Sequence, residues 1–207
     1  TLPDPLMADV STVLRSPQRL AAQIGALHPL QTFSGVQAAL DNMPGSTFAI
    51  EGDEPLLGIL KGMAQDLGGR CVELAAGDRV LYHVSGVLVS NYLVTLLALA
   101  ASLWEEFDMG RREALHALLP LVRGTIHNIE ESGIPASLTG PIARGDAGTV
   151  ESHLRQLSDK RPHLLSLYHE LAVQTIPIAE EKGRLDAEGA SRLRGLLQQT
   201  LVREGQP

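Results

Sequence analysis

An α/β segment followed by an all-α helical bundle is the fold class that this sequence predicts. The first observation is a β, β, α, β rhythm between about Ile24 and Leu74, carried by "IGALH", "STFAIEG", "PLLGILKGMAQDL" and "RCVEL". The second is that strand signals stop after Gly77, where long amphipathic segments take over at about 78–107, 110–132, 146–158, 161–182 and 186–203. Five helices with short connections make a bundle. No internal repeat or long linker interrupts the chain, and "AAGDR", Ala75 to Arg79, is the natural joint between the two textures.

Each element has a local reason. The first apolar run ends abruptly in His28, Pro29, Gln31 and Thr32, which is how a strand delivers polar groups to the open end of a sheet. Asp53 stands where the following helix needs a cap, and Gly68 and Gly69 stop that helix. From His83 to Trp104 the chain runs 22 residues without a charge, long enough to test as a membrane span. It contains His83, Ser85, Ser90, Asn91, Tyr92, Thr95 and Ser102, which lipid would leave without partners, so a core helix is expected. Asp146 and Asp186 are placed as N-caps. Pro120 and Pro177 fall inside helical patterns, where kinks are expected.

Composition narrows the function classes. A net charge of −7 with no Lys/Arg block gives no footprint for nucleic acid, and 3% aromatic residues make no base-stacking platform. The single cysteine, Cys71, excludes an internal disulfide framework and fits a reducing, cytoplasmic setting. The N-terminus has no secretory signal pattern, and it lacks an initiator Met, so residues upstream are expected.

The usual chemical signatures are missing. No two of the glycines are separated by a single residue, so the Gly-x-Gly-x-x-Gly turn that lets a backbone approach pyrophosphate is absent, as is the P-loop. Glu113 and His116 sit at helical spacing, but a di-metal bundle needs a second such pair and two further Glu, so no metal is expected. "HVSGV" around Ser85 lacks the leading Gly of a nucleophile elbow, and "RGD" at Arg144 to Asp146 is explained by Asp146 as a cap.

Two stretches remain. In "YHVSGVLVSNYLV", His83 and Asn91 are eight residues apart, which on one α-helix means about 12 Å of rise and roughly 80° of rotation. They cannot grip one atom, but they can line one groove. Asn91 can equally bond a neighbouring helix. "LTGPIARGD", Leu138 to Asp146, holds Thr139 and Arg144 among the turn-fixing Gly140, Pro141 and Gly145, and reads as an anion-binding edge or as a plain connection.

Taken in order, "GALHPLQTF", "FAIEGD", "YHVSGVLVSNYLVTLL", "LLPLVRGTIHNI" and "LTGPIARGD" resemble the Rossmann-like oxidoreductase family of unknown function whose helical C-terminal domain is of the 6-phosphogluconate dehydrogenase type. Its relatives include pyrroline-5-carboxylate reductase, ketopantoate reductase and the β-hydroxyacid dehydrogenases. The resemblance covers the chain from Ile24 onward. It implies that residues 1–76 are the end of a Rossmann-like nucleotide-binding domain whose Gly-rich half lies elsewhere, and that 77–207 are a helical substrate and dimerisation domain.

By the resemblance, His28, Gln31 and Thr32 lie at the carboxyl end of a late strand of the nucleotide-binding sheet, and Asn91 matches the Asn beside substrate and nicotinamide. The Lys that those dehydrogenases carry one turn earlier is here Val87, so the proton donor would be His83 or His28. Thr139, Gly140 and Pro141 match the substrate-side loop, with Arg144 nearby. The expectation is therefore an NAD(P)-dependent oxidoreductase of a small organic acid, imine or ketone, homodimeric through its helices and cytoplasmic. This chain alone should bind NADP or NAD weakly. The competing expectation is a non-catalytic helical dimerisation or ligand-binding module.

Overall fold

The computed structural model describes residues 24–75 and 77–204. The N-terminal readings on 1–23, and Ala76 of the expected joint, lie outside them. The chain falls into two compact units, 1–94 and 95–207.

In the first unit the described strands are β1 (Gly25–Leu30), β2 (Thr47–Gly52) and β3 (Arg70–Glu73), in the order β1-β2-β3. β2 is central. It runs antiparallel to β1, with Leu30 opposite Thr47, and parallel to β3, with Thr47 opposite Arg70. Phe48, Ala49 and Ile50 are all buried, as a strand covered on both faces requires. Helix α2 (Leu56–Asp66) crosses over between β2 and β3, the connection that a parallel pair needs, and packs Leu60 and Ala64 against Phe48 and Ile50. Gly69 lets the Phe48 ring lie on the backbone, because a Cβ there would collide with Phe48 Cε2.

Three local expectations change. A short helix α1 (Val36–Asn42) intervenes between the first two strands, where no helix was expected. α2 ends at Gly68 and Gly69 as expected, with Gly68 at φ 73°, but it starts without any side-chain cap, so Asp53 is not its cap. The expected helix over 78–107 is broken at Ser90 (φ −111°, ψ −71°) into α3 (Arg79–Val89) and α4 (Asn91–Ser102), followed by a 3₁₀ turn over Leu103–Phe107. Adjacent Ser and Asn side chains compete for backbone hydrogen bonds, a local reason for a break inside an apolar run.

Nor is this stretch a core helix. It is the one segment among the described residues long and apolar enough to cross a membrane, and only 6% of its apolar window is buried. Ala101 is the single buried residue across α3 and α4.

The second unit holds α5 (Arg111–Ser132), α6 (Ala147–Lys160), α7 (Leu165–Glu181) and α8 (Ala187–Glu204). Its core joins Val150 and Leu154 of α6 with Leu165, Ala172, Ile176 and Ala179 of α7 and Ala190, Leu193 and Leu197 of α8. The small alanines let the helices approach closely. Asp146 caps α6, accepting from the Thr149 N–H at 3.0 Å, and Asp186 accepts from the Gly189 N–H at 2.8 Å at the start of α8. α5 and α7 continue through Pro120 and Pro177.

Candidate functional site

A cleft of about 680 Å³ opens in the first unit where β1 ends and α3 gives way to α4. His28, Gln31 and Thr32 line it together with His83 and Asn91, so five residues singled out in the sequence share one cavity. His83 and Asn91 do so differently from expectation. They stand on separate helices, and the break at Ser90 makes Asn91 the first residue of α4. Ser90 joins the lining, as does Val87.

Three contacts hold α3 against the sheet. Arg79 grips the Glu51 carboxylate of β2 with two nitrogens, Nη2 to Oε2 at 2.5 Å and Nε to Oε1 at 3.2 Å, in a pair that is mostly shielded from water. Tyr82 Oη donates to the His28 carbonyl at 3.3 Å, and the two rings meet edge to face with centroids 5.7 Å apart. Burial pushes the Tyr82 phenol above its ordinary value, which keeps it protonated and donating. Gly86 completes the seam: a Cβ there would stand 3.1 Å from Leu30 Cδ1, so the missing side chain brings the helix down onto the strand end.

Gln31 faces the cleft but its polar atoms are committed. Its amide nitrogen donates to the Asn42 carbonyl at 3.1 Å and to Ser46 Oγ at 3.3 Å, and its oxygen accepts from the Thr32 N–H at 2.9 Å. Ser46 is buried and donates in turn to Asn42 O at 2.8 Å. Gln31 therefore fixes the turn that presents Thr32. His28 is half-buried, and Thr32, His83 and Asn91 are exposed.

Thr139 and Arg144 belong to the second unit. Thr139 opens onto a groove of about 570 Å³ with Pro120, Leu121, Asn128 and Ile134. Lys182 Nζ pins the adjoining loop by donating to the Ala136 and Leu138 carbonyls, both at 2.6 Å. Arg144 ends a 3₁₀ turn over Ile142–Arg144, exposed beside the buried Ile142 and Ala143. Glu113 accepts from the Gly110 N–H at 3.1 Å at the start of α5. Among the described residues no group of three or more His, Cys, Asp or Glu converges as metal ligands.

Sequence reasoning missed the fastening residues Arg79, Glu51 and Gly86 and the break at Ser90. The only local signal was the Ser90–Asn91 pair; a contact such as Arg79 to Glu51 joins residues 28 apart and leaves no periodic trace.

The model of the family described as Domain of unknown function (DUF2520) matches residues 46–175. Among solved structures, the chain is similar to protein TM1727 from Thermotoga maritima, with 29% identity and a TM-score of 0.68 over 77% of this chain and 63% of that one. It is also similar to a protein of Bacteroides fragilis, BF3122, whose printed name is "putative NADP oxidoreductase", with 27% identity and a TM-score of 0.60 over 75% of this chain and 57% of that one. The chain thus spans less than two thirds of either. Nothing among curated proteins matches it. The small sheet with its many helices and these similarities together make a Rossmann-like fold of oxidoreductase type.

Proposed function

Because the chain belongs to this DUF2520 family of unknown function, we propose that it is part of an NAD(P)-dependent oxidoreductase acting on a small organic acid, imine or ketone. The observation that carries the reading is the convergence of His28, His83 and Asn91 on one cleft of about 680 Å³ at the carboxyl end of β1, which antiparallel pairing sets beside the start of β2. Similarity to the Bacteroides fragilis NADP oxidoreductase-type protein supports NADP as the cofactor class. In this reading 1–76 close a nucleotide-binding domain and 77–207 form a helical domain of 6-phosphogluconate dehydrogenase type. A cytoplasmic homodimer joined through those helices is part of the same proposal.

The chain's glycine spacing offers no pyrophosphate cradle, so the cofactor would be gripped by a Gly-rich half that is not in this chain. When bound, the nicotinamide supplies hydride. The residues here would supply orientation and a proton. The Asn91 amide can donate to a carbonyl oxygen and hold it in line, and the His83 or His28 imidazole can pass a proton to the oxygen or nitrogen that takes up the C=O or C=N π electron pair as hydride adds to carbon.

Calorimetric titration with NADPH tests the reading. The 207-residue chain should bind far more weakly than about 1 μM, the affinity worth roughly 8 kcal/mol. A polypeptide that also carries a Gly-rich half should recover affinity and oxidise NADPH. In that polypeptide Asn91→Ala should lower turnover with little change in melting temperature, and His83→Gln should lower turnover while leaving NADPH affinity in place. A large melting-temperature drop for Asn91→Ala with unchanged turnover would return that residue to a structural role.

A further inference from the structure

Helix α3 meets one face of the β1–β2 ladder rung by rung. Residues directly opposite in an antiparallel ladder share a face, so Ala26 with Glu51, His28 with Ala49 and Leu30 with Thr47 make up one side of the sheet. Phe48 and Ile50 alternate to the other side, where they pack with Leu60 and Ala64 of α2. On the α3 side, Arg79 holds Glu51 of the first pair, Tyr82 meets His28 of the second, and Gly86 admits Leu30 of the third. These three stand at i, i+3 and i+7, a single helical stripe that advances about 10 Å while the strand advances about 13 Å from Ala26 to Leu30. Helix and strand run in step, and the cleft opens where the last rung ends.

Tyr82, the middle rung, touches both strands. Its hydroxyl donates to the His28 carbonyl at 3.3 Å, and its ring meets the His28 imidazole edge to face. The N–H of Ala49, directly across from His28, lies near enough to the Tyr82 oxygen to offset part of the rise that burial gives the phenol. One side chain thus holds both the main chain and the ring of His28.

We infer that Tyr82 is the positioning residue of this cleft: it fixes the His28 imidazole as the sheet-side wall and sets the register at which α3 brings His83 to the same cavity. The inference rests on the reading of the cleft as the substrate site, and it adds the group that aims its histidines. An edge-to-face contact on a ring whose own backbone is anchored favours one orientation, as a site held to about 0.5 Å requires. Gly86 acts differently, by letting α3 lie close to Leu30 without a hold on His28.

Nuclear magnetic resonance on the full chain tests this with Tyr82→Phe, Tyr82→Leu and Gly86→Ala. Tyr82→Phe keeps the ring and loses the hydroxyl, so it should shift the His28 carbonyl resonance and preserve cross-relaxation between the two rings. Tyr82→Leu should shift and broaden the imidazole signals of His28 and His83 while Phe48 and Ile50, on the opposite face, stay in place. Gly86→Ala should move Leu30 and spare the contact between His28 and Tyr82. Unmoved His28 signals in Tyr82→Leu overturn the inference, as does a disturbance spread equally to Phe48 and Ile50, the mark of an ordinary packing residue. It also falls if Gly86→Ala disturbs His28 as much as Tyr82→Leu does, since the close approach of α3 would then set the register. Should Tyr82→Leu fail to fold, Tyr82→Phe decides alone, and an unmoved His28 carbonyl signal overturns the inference. None of these readouts involves the cofactor. A longer polypeptide that binds no NADPH would sink the oxidoreductase reading and leave the part of Tyr82 standing, and a Tyr82 without hold on His28 would do the reverse.

Discussion

The most apolar stretch of the molecule and its best-buried core are different regions. Across α3 and α4 only Ala101 is buried, while Leu81, Val89 and Val94 stand 74%, 71% and 68% exposed. The charge-rich α6 and α8 bury Val150 and Leu154, and Ala190, Leu193 and Leu197. What separates them is whether one stripe of each helix is covered. In α7 the buried residues Leu165, His169, Ala172, Ile176 and Ala179 follow the four-three-four-three spacing of one helical stripe, and Ala190, Leu193 and Leu197 repeat it in α8. α3 keeps Arg79, Tyr82, His83 and Ser85 among its apolar residues and α4 is apolar over most of its length, and neither carries a buried stripe. A helix of that kind is stable in water only when something else covers it, and a second copy of the chain is the proposed cover.

Substitutions make the contrast measurable. Leu193→Ala, at a fully buried position, should cost about 2–5 kcal/mol in denaturant unfolding. Leu81→Ala should stay within about 0.5 kcal/mol in the monomeric chain. If the exposed position proved as costly as the buried one in a monomer, the two regions would not differ as described.

A charge on the apolar helix separates folding from assembly. Leu81→Asp should leave helical circular dichroism intact while halving the mass seen by light scattering, because a carboxylate cannot be buried unpaired in an interface. A wild-type chain that is monomeric at micromolar concentration would remove the second copy from the comparison.

The same contrast explains what could be read in advance. The strands, α2 and the helices of the second unit were legible because their apolar residues repeat with period two or 3.6 and their ends carry Gly68, Asp146 and Asp186. The fate of residues 79–102 was not, since continuous apolarity fits a core helix, a membrane span and an interface alike. At the cleft, His28, Gln31, Thr32, His83 and Asn91 could be named from residue type and resemblance. Their convergence depends on the break at Ser90 and on long-range fastenings that sequence spacing does not encode.

One of those fastenings gives the next effect. Arg79→Met should cost about 1 kcal/mol, because the Arg79–Glu51 pair, though mostly shielded, keeps 26% and 22% of its side chains exposed and loses some of its strength to solvent. Its clearer sign should be local. Imidazole resonances of His28 and His83 should broaden or shift as α3 loosens from β2, while those of His153 and His169 in the second unit stay in place. Unchanged cleft resonances would show that Tyr82 and Gly86 hold the helix without the ion pair.

The smallest effect contrasts the two helix starts that carry an Asp nearby. At α6 the Thr149 hydroxyl donates to Asp146 Oδ2 at 2.7 Å and the Thr149 N–H donates to Oδ1, which together hold the carboxyl below its ordinary value. α2 has no side-chain cap, so Asp53 has no such part. A carboxyl whose value is lowered by folding contributes stability that is fully present above the unfolded value of about 3.9 and fades as pH falls through the lower folded value. Asp146→Asn keeps an acceptor for the Thr149 N–H and removes the charge. Melts followed by circular dichroism should therefore show the variant less stable than wild type at about pH 7, with the difference closing below about pH 3 as the wild-type carboxylate is protonated. Asp53→Asn removes no side-chain cap and should leave stability at about pH 7 within about 0.5 kcal/mol of wild type. A gap for Asp146→Asn that stayed constant to the acid limit would mean that shape rather than charge sets the start of α6.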